Sequence, residues 1–281
     1  EEVEALYGVS GEWIPTSAPY FSDSLAAGVG GGMSCHIRLQ DDFGRFATID
    51  VVAEDLFPAE VVARYSEPVC GVDYDGRICQ LGATAAGAWI FVTVIQLDEA
   101  VPAELEPLVA TLAANAADFD SAVAAEVTDE WWSLPDTCDV FGAQIDVASI
   151  ITNPVSGPYE GSPRAFSTFL EDADRSLYCQ WFTQDLAEPF GMFSITIVPG
   201  GASGWEEYTA LAETDPYNLG PVSTEPVDVA GAQEALVYSY GGFEQKLVAT
   251  DGVNVISVGG SLDSDLRVQA AERAIAELAA G

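Results

Sequence analysis

Hydrophobic side chains recur at every second position in several stretches of the chain, and two pairs of those stretches resemble each other. In SCHIRLQDDFGRFATIDVV (34–52), Ala47, Ile49 and Val51 share one face of an extended strand; in YCQWFTQDLAEPFGMFSITIVP (178–199), Phe193, Ile195 and Ile197 do the same. Spacing of this kind marks half-buried strands. Each stretch begins with a cysteine-bearing strand, passes an Asp-containing turn and returns as a second strand. Further along, LGATAAGAWIFVTV (81–94) parallels LVATDGVNVISVGG (247–260), two more strands about a turn of small residues. Each series then closes with apolar residues at helical spacing: Leu105, Leu108, Val109, Leu112 and Ala116 within 102–119, and Val268, Ala271, Ile275 and Leu278 within 264–280. Pro102 suits the first turn of the earlier helix, and Ser264 is the expected N-cap of the later one.

The matching order of elements predicts an α+β protein of two tandem α/β sandwich repeats. Each would be a mostly antiparallel sheet with packed helices and a closing C-terminal helix. The first repeat spans 1–125, with an N-terminal part that reads as incomplete, and the second spans 138–281. Residues 126–137 form the connector, a stretch with acids, a proline and no clean period. The Trp131-Trp132 pair within it has two readings. Either the rings pack the connector against a domain, which large aromatics favour through burial, or they form an exposed aromatic contact for a sugar or peptide.

Length and charge bound the function. A chain of 281 residues is long enough for two cores. Nine Lys plus Arg against 45 Asp plus Glu give a formal charge of −36, and Lys246 is the sole lysine. Such a surface repels phosphate backbones, so nucleic acid is not an expected partner, whereas cationic groups and divalent ions are compatible with it. No stretch reads as a membrane span. The chain opens on Glu1-Glu2, and any signal peptide or lipid-attachment segment would lie upstream. Acid-rich, lysine-poor, alanine-rich composition fits both actinobacterial and halophilic proteins.

Five cysteines punctuate the chain. In CGVDYDGRIC (70–79), a turn through Asp73-Tyr74-Asp75-Gly76 sets Cys70 opposite Cys79 and Val72 opposite Arg77, which predicts a cross-hairpin disulfide. The Asp-x-Asp-Gly run lacks the later ligands of a calcium loop and reads as turn chemistry. Cys138 opens a helix-like stretch, CDVFGAQIDVASII (138–151), and Cys179 opens a strand. A bond between them would close a long loop and contribute roughly 3–4 kcal/mol in the chain-entropy model. Four cysteines permit three connectivities, so this pairing stands as an expectation. In the repeat register Cys35 matches Cys179, and its mate would fall before Glu1. Cys35 is therefore expected to be unpaired in this chain or bonded to another one. His36, the only histidine, follows Cys35 on the strand and points to the opposite face, so the two are poorly placed to share a metal.

GGMSCHIRL, followed by CGVDYDGRICQLGATAAGAWIFVTV, resembles a group of secreted or lipid-anchored actinobacterial envelope proteins of unassigned function, as does a helix-opening cysteine answered by YCQWF. In that group a Gly-Gly-Leu-x-Cys-x-Trp type strand precedes a cysteine-bridged hairpin and a closing helix, on a PsbP-like α/β sandwich. The resemblance covers about two-thirds of the chain and implies an extracellular or cell-surface protein. It supplies no functional residues. Here the second copy lacks the hairpin cysteines and Cys35 lacks an upstream mate.

Catalytic signatures are sparse. A Ser-His-Asp or Cys-His device would have to use His36. No G-x-S-x-G occurs, and GVGGGM (28–33) lacks the third glycine of a dinucleotide fingerprint. Zinc would need more His or thiolate ligands, so no metal and no cofactor is expected. Carboxylate pairs remain open, because 45 acids make chance pairs inevitable. The expected function is a non-catalytic extracellular interaction module for a peptide, glycan or envelope partner. The alternatives are a structural subunit of an extracellular assembly, self-associating through Cys35 or a strand edge, and a carboxylate-based secreted hydrolase.

Overall fold

Thirteen strands and seven α-helices are found among the described residues of this computed structural model, which are 13–16, 21–39, 42–73, 76–97, 103–116, 123–157, 166–183, 191–212, 222–240 and 244–281. The chain divides into two compact units, residues 1–125 with 160–173, and residues 126–159 with 174–281. Both are α+β, and each is built on one antiparallel sheet.

The first unit runs β1 (Trp13–Thr16), α1 (Phe21–Val29), β2 (Met33–Leu39), β3 (Asp42–Ala53), α2 (Ala59–Arg64), β4 (Val69–Asp73), β5 (Gly76–Ala85), β6 (Ala88–Leu97) and α3 (Leu105–Ala116). Its sheet order is β1-β2-β3-β6-β5-β4. The second half of the chain adds α4 (Cys138–Gln144), β7 (Pro154–Ser156), α5 (Phe166–Asp172), β8 (Leu177–Thr183), β9 (Met192–Val198), α6 (Trp205–Ala212), β10 (Val222–Pro226), β11 (Glu234–Tyr240), β12 (Glu244–Thr250), β13 (Val255–Gly260) and α7 (Ser264–Leu278). Read from β7, the second sheet is β7-β8-β9-β13-β12-β11-β10. Its first six strands follow the connectivity of the first sheet, and β10 is an added edge.

The repeat extends to register. In the first sheet Cys35 pairs with Ile49, Ile49 with Val92 and Val92 with Leu81. In the second, Cys179 pairs with Ile195, Ile195 with Val258 and Val258 with Leu247. Because a one-residue slip would turn every side chain to the other face, a shared register means a shared choice of buried face. The closing helix packs on that face in each unit. Leu105, Leu108 and Val109 of α3 cluster with Ala47, Leu81, Val92 and Val94. Ala270, Ala271, Ala274, Ile275 and Leu278 of α7 cluster with Ile195, Ile197, Leu247 and Val258. Each fully buried Leu or Ile contributes about 1.5–3 kcal/mol of transfer free energy.

Several local expectations change. Asp263, not Ser264, caps α7: its side chain accepts the Leu266 N–H at 2.9 Å from an extended backbone, and Ser264 is the first helical residue. A carboxylate there also meets the positive end of the helix dipole. The earlier closing helix starts at Leu105, and Pro102 lies outside the described residues. The helix opened by Cys138 stops at Gln144 and gives way to a 3-10 turn at Val147–Ser149, with Asp146 in the left-handed region between them (φ 55°). Asp73 and Gly76 pair as strand residues, so the hairpin connection reduces to positions 74 and 75, outside the described residues.

A contiguous second repeat over 138–281 also differs from the observed division at residues 160–173. The reason is aromatic packing. Phe166 and Phe169 of α5 join Phe57, Tyr65, Trp89 and Phe91 of the first unit, with Phe91–Phe166 stacked at 5.8 Å and Tyr65–Phe169 edge-on at 5.3 Å between centroids. Trp89 and Phe91 are themselves 4.8 Å apart. Helix α5 also packs on α1. Ring pairs of this geometry add about 0.5–1.5 kcal/mol each beyond the area they bury.

Candidate functional site

The cysteines are arranged by the sheet register. Cys70 and Cys79, directly opposed on β4 and β5, form one disulfide. Cys138, in the first turn of α4, forms the other with Cys179 on β8. Thr137 caps α4 by accepting the Val140 N–H at 3.2 Å, which holds the cysteine-bearing turn over the sheet. Cys35 is a free thiol and is exposed; its Sγ lies 3.9 Å from the Met33 sulfur. Partial burial first, and the Asp50 carboxylate second, push its pKa above the ordinary thiol value. Asp50 itself is buried and accepts a 2.5 Å hydrogen bond from Ser34 Oγ. His36 occupies the next register position, between Thr16 of β1 and Thr48 of β3.

The two tryptophans of the connector part company. Trp132 is 6% exposed and belongs to the core of the second unit rather than to a surface platform. Trp131 is half-buried, laid against Gly200, with the Arg175 guanidinium over its ring at 5.4 Å. Gly200 has φ +71°, and a Cβ there would fall 2.3 Å from the Trp131 ring, so the residue must be glycine on both counts.

Asn254 fixes this corner. It is fully buried in the turn between β12 and β13. Its Oδ1 accepts the Trp132 N–H at 3.0 Å and the Gly200 N–H at 3.2 Å, while Nδ2 donates to the Glu130 carbonyl and to Asp251 Oδ2, each at 3.0 Å. Its own N–H donates to Asp251 Oδ1 at 2.7 Å and its carbonyl accepts from Thr250 Oγ1 at 2.7 Å. Nothing in the sequence pattern singles this residue out, since it is one polar side chain in an Asp-Gly turn.

Two shallow clefts lie in the second unit. The larger, about 340 Å³, is bordered by Asp228, Gln233, Glu234 and Glu272. Two of these carboxylates already serve the fold: Glu272 accepts the Ala230 N–H at 3.1 Å and Glu234 accepts the Trp205 indole N–H at 3.0 Å. The smaller, about 180 Å³, is bordered by Asp139, Asp146, Ser156 and Trp181. There Ser156 Oγ donates to Asp139, and Asp146 faces Arg273 at 3.8 Å. No group of three His, Cys, Asp or Glu side chains at metal-binding spacing occurs among the described residues. Nor is any helix among them long and apolar enough to cross a membrane.

The remaining feature is an edge. Among the described residues, strand β4 pairs with β5 alone and stands at the end of the sheet, and Val72 on it is 74% exposed. Exposed edges are ordinarily blunted by charge, proline or a bulge; in Val69–Asp73 (VCGVD) Asp73 is the single charged residue. The Cys70–Cys79 bond ties this strand to its neighbour. No protein-family model, no curated protein and no solved structure matches the chain.

Proposed function

We propose that the protein is a non-catalytic interaction module of the cell exterior, one that takes an extended, basic peptide segment of an envelope partner onto the outer edge of β4. The observation that carries this reading is the stapled, nearly uncharged edge strand with Val72 outermost. Main-chain hydrogen bonds would supply affinity and side-chain contacts specificity, the usual division in strand addition. A formal charge of −36 favours a cationic partner. The two disulfides are in keeping with an oxidising compartment, and so with the likeness to actinobacterial envelope proteins. Burial of Trp132 disfavours the glycan-platform alternative.

Selection of displayed peptides against the immobilised protein tests this. Basic, extended sequences should be enriched, and their binding should be lost in Val72→Lys, whose exposed position leaves the core untouched. No enrichment, or equal binding to the variant, overturns it. The exposed Cys35 thiol favours a second reading, a subunit of an extracellular assembly. Light scattering with size exclusion separates the two: an oligomer that dissociates on reduction supports assembly, and a monomer insensitive to reductant supports the module.

A further inference from the structure

The two disulfides anchor their strands differently. In the pair that joins α4 to β8, Cys138 is half-buried and Cys179 fully buried. The pair across β4 and β5 is lopsided. Cys79 is fully buried in the cluster with Leu81, Val92 and Leu105, whereas Cys70, directly opposite it, is exposed. Strand β4 brings little burial of its own. Val69 and Gly71 are half-buried, Cys70 and Val72 are exposed, and no described side chain of the strand is buried. Gly71, which pairs with Ile78, adds no side chain, and a glycine inside a strand weakens it. Across the ladder Ile78, Cys79, Gln80 and Leu81 of β5 are all buried. A five-residue strand that buries so little opens at low cost, and the bond to Cys79 is what couples it to the core.

We infer that the Cys70–Cys79 disulfide is a redox switch for docking at β4. Oxidised, it holds the strand in register to receive a partner; reduced by a protein dithiol, it lets β4 leave β5. The inference rests on the proposed use of that edge. Cys70, the exposed half, takes the attack. A thiolate of the donor bonds to the Cys70 sulfur, the Cys70–Cys79 bond breaks, and Cys79 leaves and takes up a proton, since an apolar site favours the thiol. The second thiol of the donor then closes a disulfide with the first and releases Cys70 as a thiol. Two electrons and two protons pass from the dithiol to the cystine. Neither half of Cys138–Cys179 is exposed, so the same donor reaches it more slowly.

The test uses the folded chain in a Cys35→Ser background, which removes the competing free thiol. Dithiothreitol is titrated in under native conditions, and new thiols in one portion are trapped with iodoacetamide and mapped. Cys70 and Cys79 should be alkylated while Cys138–Cys179 stays intact. In the untrapped portion, hydrogen exchange across Val69–Asp73 should rise at least about tenfold, with β9 and β13 unchanged. A displayed library of basic peptides should be enriched on the oxidised form and not on the reduced one. Cys70→Ser, which opens the bond and leaves Cys79 a buried thiol, should match the reduced form in both readouts. Val72→Lys should lose the peptides yet keep slow exchange, because its staple is closed. Earlier opening of Cys138–Cys179, or unchanged exchange in β4 once Cys70–Cys79 is reduced, overturns the inference. Equal enrichment on the two forms also overturns it and leaves the proposed function standing. No enrichment on either form overturns the proposed function, and the switch with it.

Discussion

Asn254 and Trp132, 122 residues apart in sequence, are joined by a 3.0 Å hydrogen bond from the tryptophan backbone N–H to the asparagine Oδ1. The same side chain also holds Gly200, Glu130 and Asp251, so one amide ties the connector to two turns of the second sheet. Truncation would leave buried backbone donors unsatisfied. Asn254→Ala should cost about 3 kcal/mol in urea unfolding followed by tryptophan fluorescence. Asn254→Asp removes both Nδ2 donations and sets a carboxylate beside Asp251, so it too should destabilise. A loss below about 1 kcal/mol for both variants would show that the hub contributes no more than one ordinary hydrogen bond.

The neighbouring contact is steric. Gly200→Ala must place a Cβ into the Trp131 ring and hold an L-residue at φ +71°. The expected loss is about 1–3 kcal/mol, with a change in near-UV circular dichroism from the displaced indole. An alanine variant as stable as the parent would mean that Trp131 is free to leave its place against Gly200.

The disulfides should differ in worth. Their loops span separations of 9 and 41 residues. In the chain-entropy model the shorter contributes about 2.6 kcal/mol and the longer about 3.9 kcal/mol. Cys138→Ala with Cys179→Ala should therefore lower the unfolding free energy more than Cys70→Ala with Cys79→Ala. The reverse order in urea titrations would contradict the loop argument.

The framework of the repeat was legible because it rests on period-two patterning. Cys35, Ile49, Val92 and Leu81 stand in register with one another because alternate positions are apolar, and the same is true of the row through Cys179. The hairpin partners Cys70 and Cys79 follow from the turn between them. Helix α5 was not legible. It is seven residues long, and its Phe166 and Phe169 belong to an aromatic cluster assembled by residues about a hundred positions earlier, which no local period reports. Strand β10 (VSTEP) escapes for want of alternation, since it is a polar edge. The candidate site shows the same division. Edge and cysteines follow from register, whereas Asn254 acts through groups far away in sequence. Ser264 looked like a cap because Ser is a good one, but Asp263 beside it was already extended and better placed.

Membership of α5 in the first unit has a direct consequence. Phe169 is nearly fully buried and lies 5.3–6.3 Å from Tyr65, Trp89, Phe91 and Phe57, measured between ring centroids. Phe169→Ala should cost about 3–5 kcal/mol. Hydrogen exchange should then show faster opening of β3, β5 and β6 than of β9, β12 and β13. Equal acceleration in both sheets, or only in the second, would contradict the division of the chain.

Cys35 carries a pH signature in the 1–281 chain. Since partial burial and then Asp50 raise its pKa, and only the thiolate is alkylated, iodoacetamide should react with it more slowly near neutral pH than with an unhindered thiol. Asp50→Asn should speed the reaction. A folded pKa above the unfolded one means that this contribution to stability is complete below the ordinary thiol range and is lost as pH rises through the folded value. Cys35→Ser should flatten that alkaline slope. An alkylation rate indifferent to the Asp50 substitution would remove the electrostatic cause.

Intact mass of the 1–281 chain, alkylated under denaturing conditions with and without prior reduction, tests most directly the account of two sister sheets stapled by oxidised cysteines. The structure predicts one modified cysteine in unreduced material, mapping to Cys35, and all five after reduction. Three or more modified cysteines without reductant, or a single one at any other position, would contradict it.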